Sequence, residues 1–315
     1  MSLTIIEPGL QTTLQAAPRS GLRHQGVPAA GPADAVSAAL LNRAVGNEPY
    51  RALLEIPYGG FVAGVEGPAT FAVGGAEADF TVNGVAVKPW VPVNLGRGVR
   101  QLRIGPITAG VQMYLAVAGG FHAGEFLGSA STYLPAAFGG YHGRALRAGD
   151  VLSVNDPLGT REPADVPGGL RPFLSTGWSL RATVSGETDW LTEASRERLF
   201  GAPFTVSRQT SRMGVGLAGE ALELSQNQML QSVPVFPGTV QCPESGLPFL
   251  LSADAQTTGG YPRVAQIIRA DRHRLGQLRP GDQVTLSEVS PEEAASILHT
   301  KKAALAAFLG SDFQL

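Results

Sequence analysis

The sequence predicts a mainly β protein built from two similar halves, with a few short helices and a helix at its C-terminal end. Glycine (40 residues) and proline (23 residues) are spread between short apolar stretches, which is typical of many strands joined by many turns. These stretches are rich in β-branched and aromatic side chains, which favours strands. They read TFAVGG, FTVNGVAV, VPVNL, SLRATV, FTVS, FLLSAD and VAQIIRA. Their spacing suits closed or nearly closed barrels, which leave no exposed sheet edges.

A faint internal repeat is the reason for predicting two halves. LRAGD, ending at Asp150, precedes the strand-like VLSV, and LRPGD, ending at Asp282, precedes QVTL. A Gly-Gly-aromatic turn is expected upstream of each, at residues 119–121 and 259–261. Similar elements in the same order indicate a duplicated fold, with one copy in each half. The alternative is two unrelated turns that match by chance.

The two halves meet in a segment with little apolar content. Residues 156–172 (DPLGTREPADVPGGLRP) contain four prolines and three glycines, a composition typical of a connection between domains. We therefore expect a first barrel domain over residues 1–160 and a second barrel domain over residues 161–315.

Three stretches predict helices. Residues 33–45 are rich in alanine and leucine, follow a proline and end at a Gly-Asn pair. Residues 191–199 form a short candidate with Thr192 as its cap. Residues 290–309 form the clearest helix, because Ser290 can cap it, a proline follows, and two glutamates then favour the helix dipole.

Charge and cysteine content argue against several function classes. The formal net charge is −2 and no block of Lys and Arg is present, so we expect neither nucleic-acid nor membrane partners. With Cys242 as its only cysteine, the chain can form neither an intramolecular disulfide nor a cysteine-cluster metal site. Residues 104–124 contain no Asp, Glu, Lys or Arg, but one proline and five glycines make them a poor membrane helix. The lack of a signal peptide at the start of the sequence predicts a cytoplasmic protein.

Familiar catalytic and cofactor motifs are missing. GVGLAG (residues 214–219) has the spacing of a dinucleotide-binding loop, but no convincing strand–turn–helix unit surrounds it. The sequence contains neither a Walker A phosphate loop nor a GxSxG nucleophile elbow. Its five histidines are scattered, and His122 with Glu125 lacks an evident third ligand, so we expect no metal site.

Two glycine-rich stretches carry more polar side chains than a packed core needs. The first spans residues 19–47, and the second joins residues 207–212 to DAQTTGGYP, residues 254–262, and to Arg263. Glycines let a backbone approach a ligand closely, while Asp, Gln and Thr supply directional hydrogen bonds. Both stretches are therefore candidate binding segments. The alternatives are a turn in which Asp254 and the threonines bind local backbone groups, and an interstrand salt bridge for Arg212.

The longest motifs of the chain resemble those of one protein family, and the resemblance covers nearly the whole sequence. They are GVPAAGPAD with LLNRAVGN, LLEI, SRMGVGLAG, QLRPGD and, most specifically, GTVQCPESGLPFLLSADAQTTGGYP at residues 238–262. From these motifs the chain is identified as a member of the family of the 5-oxoprolinase C subunit, also known as biotin-dependent carboxyltransferase or allophanate hydrolase subunit 2. It is also similar to the carboxyltransferase region of urea carboxylase and to a bacterial antagonist of a sensor-kinase inhibitor.

The resemblance implies a fold, a reaction and partners. The fold would be two tandem cyclophilin-like β-barrel domains. The chain would be a subunit, inactive alone, of a complex that uses ATP to open the lactam of 5-oxoproline and give glutamate. Its partners would be a subunit-B-like protein of related fold and a larger hydrolase subunit, which share the handling of ATP. The alternatives are a carboxyltransferase that uses biotin carried on another chain, and a non-catalytic regulator that binds an inhibitor of a sensor kinase.

The same resemblance, together with the polar stretches, selects the candidate site residues. We expect Asp254 and Arg212 to act in catalysis, because a carboxylate can orient the substrate and a guanidinium can stabilise developing negative charge. The expected substrate-binding residues are Arg19, His24, Asp34, Asn42, Gln256, Thr257, Thr258 and Tyr261.

The chain departs from the family pattern at two places. Where the family reads Val-Gln-Asp-x-Gly-Arg, this chain reads LQAAPR and loses the acid and the glycine while keeping Arg19. Where the family reads Ser-Asp-Arg-Met-Gly-x-Arg-Leu, Ser211 and Gly216 replace the acid and the second arginine. These two losses motivate the regulator alternative.

Overall fold

The computed structural model of the protein is mainly β and describes residues 1–156, 161–226, 230–311 and 313–315. The chain divides into two compact units. Unit 1 comprises Met1–Arg19, Ala30–Leu174 and Ala304–Gln314, and unit 2 comprises Ser20–Ala29, Ser175–Ala303 and Leu315. The short segment Ser20–Ala29 thus belongs to the unit formed mostly by the second half of the sequence. The domain boundary expected after residue 160 stays a prediction.

Unit 1 consists of antiparallel sheets around an apolar core. Its strands are β1 (Ser2–Pro8), β2 (Thr13–Gln15), β3 (Leu53–Pro57), β4 (Gly59–Glu66), β5 (Ala69–Glu77), β6 (Phe80–Val82), β7 (Val85–Ala86), β8 (Val93–Leu95), β9 (Val99–Pro106), β10 (Ala109–Val117) and β11 (Val151–Ser153). Over the described residues they form one sheet in the order β11-β1-β4-β9-β6-β7 and another in the order β2-β3-β10-β5-β8. Buried side chains such as Phe61, Phe71 and Met113 fill the core, and burial of each contributes about 2 kcal/mol.

Helix α1 (Ala35–Ala44) lies within the stretch predicted for it and is buried along most of its length. It begins after Asp34, whose carboxylate accepts a hydrogen bond from Ser37 N–H at 3.1 Å. An N-cap of this kind satisfies one of the backbone donors that a helix start leaves unpaired.

Unit 2 is a closed barrel. Its strands are β12 (Gly177–Thr183), β13 (Pro203–Thr210), β14 (Gly214–Ala218), β15 (Val233–Pro234), β16 (Thr239–Gln241), β17 (Phe249–Leu251), β18 (Thr258–Gly259), β19 (Arg263–Ile267) and β20 (Gln283–Glu288). In the described residues, seven of them close in the order β12-β19-β16-β17-β14-β13-β20, while β15 and β18 form a separate ribbon. The ring closes through a parallel pair, in which Ser179 lies opposite Thr285. The expectation of a mainly β fold with a barrel and a C-terminal helix is confirmed.

The two remaining helices, α2 (Glu193–Leu199) and α3 (Pro291–Leu309), have the predicted caps. Thr192 Oγ1 accepts from Ser195 N–H at 3.3 Å. At α3, Ser290 Oγ accepts from Glu293 N–H at 3.1 Å, and Glu293 Oε2 accepts from Ser290 N–H at 2.8 Å, which is a capping box. Single turns of 3₁₀ helix lie at Arg23–Gln25, Leu134–Ala136, Gly168–Leu170 and Thr188–Trp190, and a longer one at Arg272–Gln277.

The LRAGD and LRPGD segments form turns with the same hydrogen bonds. Ile5 N–H donates to Asp150 O at 2.8 Å, and Val206 N–H donates to Asp282 O at 2.8 Å. Asp150 N–H donates to Arg147 O at 3.1 Å, and Asp282 N–H donates to Arg279 O at 2.9 Å. The glycine before each aspartate has a positive φ, +89° and +98°. The repeat seen in the sequence therefore extends to backbone geometry.

The two Gly-Gly-aromatic segments differ from each other. Gly119 and Gly120 have φ of +91° and +74° and make the predicted turn before the buried Phe121. Gly259 instead lies in β18, and neither glycine of the second pair has a positive φ. The second segment is extended because it pairs with β15.

The GVGLAG motif lies mostly in strand β14, which pairs with β13 on one side and β17 on the other. Its backbone N–H groups are engaged in the sheet, so the motif does not form a dinucleotide loop. Residues 104–124 contain β10, a central strand of a sheet. Among the described residues, no helix has both the length and the apolar character needed to cross a membrane.

Candidate functional site

The candidate site is built on residues 254–262 of unit 2, which we call the site segment. Strand β18 within it pairs with β15, so that Val233 lies opposite Gly259. Val235 N–H also donates to Thr257 O at 3.1 Å. The segment is therefore fixed as a short β-ribbon, and its polar side chains project from an ordered backbone.

The first residue of the site segment is held by an ion pair. Arg212 donates from Nε and Nη2 to the two carboxylate oxygens of Asp254, at 2.9 and 2.8 Å. Asp254 N–H also donates to Arg212 O at 2.8 Å. The side chains are only 10% and 2% exposed, so removal of either would leave a buried charge without its partner. The structure thus gives Arg212 and Asp254 a positioning role, and their catalytic role stays a prediction.

A second ion pair holds the other end of the segment. Arg263 donates from Nη2 and Nε to the two oxygens of Glu187, at 2.7 and 2.8 Å. Arg263 N–H donates to the same carboxylate at 2.9 Å. These hydrogen bonds hold the pKa of Glu187 below its usual range. The site segment is thus clamped at both ends by paired charges.

Gln256 links the site segment to two further polar side chains. Its Nε2 donates to Gln241 Oε1 at 3.2 Å, and its backbone oxygen accepts from Arg23 Nη2 at 2.7 Å. Arg23 Nη2 also donates to Val235 O at 2.5 Å. Burial lowers the pKa of Arg23 from its usual value. In the described part of the chain, no carboxylate forms a salt bridge with Arg23.

The remaining residues of the segment have different exposures. Thr257 is half-buried, Thr258 is exposed and Tyr261 is 49% exposed. Gly259 lies beside Gln241, since a methyl group added to it would come within 2.6 Å of Gln241 Nε2. The glycine therefore allows the backbone to approach a buried amide.

A cavity of about 1060 Å³ lies beside the end of the segment. Its wall combines Gly260, Tyr261 and Pro262 with the loops at residues 221–226 and 242–246. The charged side chains on this wall are the carboxylates Glu223 and Glu244. An anion would be repelled there, because two like charges face it and none of the described residues on the wall is a cation.

Cys242 also lines the cavity, but it is buried and its chemistry is restricted. Burial raises the pKa of its thiol to about 11. At neutral pH the thiol is protonated, and a protonated thiol is a poor nucleophile. Over the residues that the structure describes, no group of three or more His, Cys, Asp or Glu side chains is arranged to hold a metal ion.

Arg19 belongs to unit 1 and is nearly completely buried. It donates to three backbone oxygens, Phe126 O at 3.0 Å, Ser129 O at 3.2 Å and Ser131 O at 2.6 Å. Its guanidinium also lies 4.7 Å from the centre of the Phe138 ring. The structure therefore gives Arg19 the role of fixing a loop, and its substrate-binding role stays a prediction.

Asp34 and Asn42 are also buried in unit 1 and have protein partners. Asp34 Oδ2 accepts from Ser37 Oγ at 2.5 Å, in addition to the helix cap. Asn42 donates to the backbone oxygens of Pro49 and Arg51 at 3.1 and 2.9 Å. Both are placed to organise α1 and the chain that follows it. Their expected substrate-binding role stays a prediction.

His24 lies in the segment Ser20–Ala29 and is exposed. Its Nε2 is 3.3 Å from Gln25 Nε2. Unit 2 contains seven of the predicted site residues: His24, Arg212, Asp254, Gln256, Thr257, Thr258 and Tyr261. All of these except His24 lie in the site segment or, as Arg212 does, form its first ion pair.

Arg23 lies in the first candidate binding stretch but was not predicted as a site residue, and neither Gln241 nor Glu187 was predicted. A signal for Gln241 was present, because it is a polar residue between Val240 and Cys242, a position where a packed core needs no amide. Arg23 and Glu187 lie far from the site segment in the sequence. Only the fold brings them to it.

Three comparisons with known proteins agree with one another. Residues 25–288 match the family model for the carboxyltransferase domain, subdomain A and B. The chain is 35% identical over 294 residues to the C subunit of 5-oxoprolinase from Escherichia coli (strain K12), covering 93% of each chain. It is 33% identical over 296 residues to the protein of that name from Haemophilus influenzae, covering 94% of each chain. The crystal structure of the Kluyveromyces lactis urea carboxylase matches all of this chain with a TM-score of 0.92 and 29% identity, over 30% of its own length.

Proposed function

The chain belongs to the carboxyltransferase-domain family, and we propose that it works as the C subunit of a 5-oxoprolinase, an assembly that opens the lactam of 5-oxoproline to give glutamate. The observation that carries the proposal is the match to the C subunit of the Escherichia coli 5-oxoprolinase over 93% of both chains. The clamped site segment supports it, because a few fixed donors and acceptors are what orients a small ligand in a binding site.

The residues of the site segment would bind and orient the lactam. Opening an amide places negative charge on its carbonyl oxygen, and fixed donors stabilise that charge. Gln256 and the hydroxyls of Thr257 and Thr258 would supply donors, while Arg212, held in place by Asp254, would supply positive charge. ATP, when bound by the assembly, would drive the ring opening. GVGLAG is part of a sheet here, so we propose that partner subunits bind most of the nucleotide.

The proposed assembly contains a subunit-B-like partner and a larger hydrolase subunit, in the cytoplasm. Coexpression of the three chains should give conversion of 5-oxoproline to glutamate that requires ATP, measured as glutamate released. Omission of this chain should abolish the activity. Asp254→Asn should lower kcat on the order of 100-fold, while Arg97→Gln, an exposed site in unit 1, serves as the control. Full activity of the assembly without this chain would contradict the proposal.

A second candidate is carboxyl transfer from biotin carried on another chain, and the match to urea carboxylase supports it. Its test is transfer of labelled carboxylate from a carboxybiotinyl protein to urea, with and without this chain. ATP-dependent glutamate formation without any biotinyl protein would decide in favour of the first candidate.

A further inference from the structure

We propose that Arg23 and Gln241 form the polar end of a substrate subsite, which takes a small molecule carrying both a carboxylate and an amide. This inference rests on the proposed function and names the groups that would recognise its substrate. Arg23 would bind the carboxylate, and Gln241 would bind the amide carbonyl.

Arg23 is a cation with unused donors. Its Nη2 serves two backbone oxygens, but Nε and Nη1 are buried and lack a hydrogen-bond partner in the structure. Burial of a donor without an acceptor is unfavourable. A guanidinium offers its donors in a planar fork that matches a carboxylate. An anion at this edge would therefore supply both the missing acceptors and the missing negative charge.

Gln241 is a second buried group with an unused donor. It is 1% exposed, its Oε1 accepts from Gln256, and its Nε2 has no partner in the structure. A primary amide recognises another amide well, because it offers a donor to the ligand carbonyl. The close approach of Gly259 leaves this amide without a methyl group in front of it.

Gln256 holds the two groups at the same part of the site segment. Its backbone oxygen binds Arg23 and its side chain binds Gln241. The Arg23 guanidinium also lies 5.3 Å from the centre of the Phe236 ring, a cation–π contact to one of its faces. Since Phe236 is 49% exposed, displacement of its ring would open the buried donors of Arg23 to a ligand.

The charge of Arg23 favours an acidic molecule. Its hydrogen bonds in the described residues go to backbone oxygens, so the guanidinium would attract a ligand carboxylate. A neutral lactam without a carboxylate would lose the contact with Arg23 only. The subsite therefore predicts selectivity for acidic lactams over uncharged ones.

The test uses two probes, 5-oxoproline and 2-pyrrolidinone, the same ring without the carboxylate. Binding is measured by calorimetry on the full chain and, where it assembles, on the complex. We expect the wild type to bind 5-oxoproline at least about 10-fold more tightly, a difference of about 1.4 kcal/mol. Arg23→Gln should remove this preference and leave 2-pyrrolidinone binding unchanged. Gln241→Leu should weaken both probes. Arg97→Gln is the matched control.

Several outcomes would overturn the inference. They are a wild type without preference, a preference that survives Arg23→Gln, and crystals grown with 5-oxoproline that show only an ordered water at Arg23. Arg23→Lys keeps the charge but not the fork, so it should retain part of the preference and guards against misfolding of the glutamine variant. Selective binding without ATP-dependent turnover would contradict the proposed function and leave this inference standing. Turnover that is insensitive to Arg23→Gln would contradict this inference and leave the proposed function standing.

Discussion

The two Gly-Gly-aromatic segments, one in each unit, have similar sequences and different structures. In unit 1 both glycines have positive φ and the aromatic Phe121 is 1% exposed. In unit 2 the pair is extended, and Tyr261 faces a cavity. The repeated turns at Asp150 and Asp282, in contrast, kept the same backbone hydrogen bonds. The turns at Asp150 and Asp282 thus share one backbone geometry, whereas the two Gly-Gly-aromatic segments do not.

Replacement of the aromatic residues should give the largest contrast. Phe121→Ala should destabilise the protein by about 4 kcal/mol, because it empties a packed site in the core of unit 1. Tyr261→Ala should change stability by less than about 0.5 kcal/mol, because its side chain is half exposed. Urea denaturation of both variants measures the difference. Equal losses would mean that Tyr261 is a core residue like Phe121.

Replacement of the glycines should give a smaller contrast. Gly119→Ala forces an alanine into a positive φ and against the backbone oxygen of Asn155, which should destabilise by about 3 kcal/mol. Gly259→Ala meets only the end of the Gln241 side chain, so it should cost about 1 kcal/mol or less but weaken binding of 5-oxoproline. Thermal unfolding and calorimetry measure the two effects. Unaltered binding by Gly259→Ala would contradict the role given to Gln241.

Replacement of the two repeat aspartates should give a still smaller difference in stability. Asp150 uses both oxygens for Arg144, at 2.7 and 2.8 Å, so Asp150→Asn places an amide against a guanidinium donor and should cost about 2 kcal/mol. Asp282 uses one oxygen, Oδ2, for both Trp178 Nε1 and Arg279 N–H, at 2.8 and 3.0 Å. An asparagine oxygen can accept both, so Asp282→Asn should cost less than about 1 kcal/mol. The free energy of unfolding of both variants is measured at pH 7. A larger loss for Asp282→Asn than for Asp150→Asn would contradict the prediction.

The smallest expected effect is on the pH dependence of stability. The hydrogen bonds from Arg144 hold the pKa of Asp150 below its usual range. Its stabilisation is therefore fully present above the unfolded value of about 3.9 and is lost as the pH falls through the lower folded pKa. The stability difference between wild type and Asp150→Asn should accordingly shrink between about pH 4 and pH 2. A constant difference over this range would show that the charge of Asp150 does not matter.

Local patterns predicted much of the fold. The caps at Thr192 and Ser290, the helices that follow them and the repeat turns at Asp150 and Asp282 all depend on neighbours in the sequence, and the structure has them where they were expected. The extended shape of the second Gly-Gly pair could not be predicted, because it results from pairing with Val233 and from contact with Gln241. The candidate site was predicted in part for the same reason. Asp254 and its neighbours form a continuous motif, whereas Arg23 and Glu187 reach the segment only through the fold.

Arg23 is made long before the groups that it contacts. Its acceptors, Val235 and Gln256, follow 212 and 233 residues later in the chain. During synthesis the segment Ser20–Ala29 can therefore pack into unit 2 only after the second half of the sequence has been translated. Contacts of such long sequence separation form slowly, since a large loop must close first. A fragment of the second half alone would lack Arg23, so unit 2 can form its Arg23 contacts only after residues 20–29 and 175–303 have both been translated.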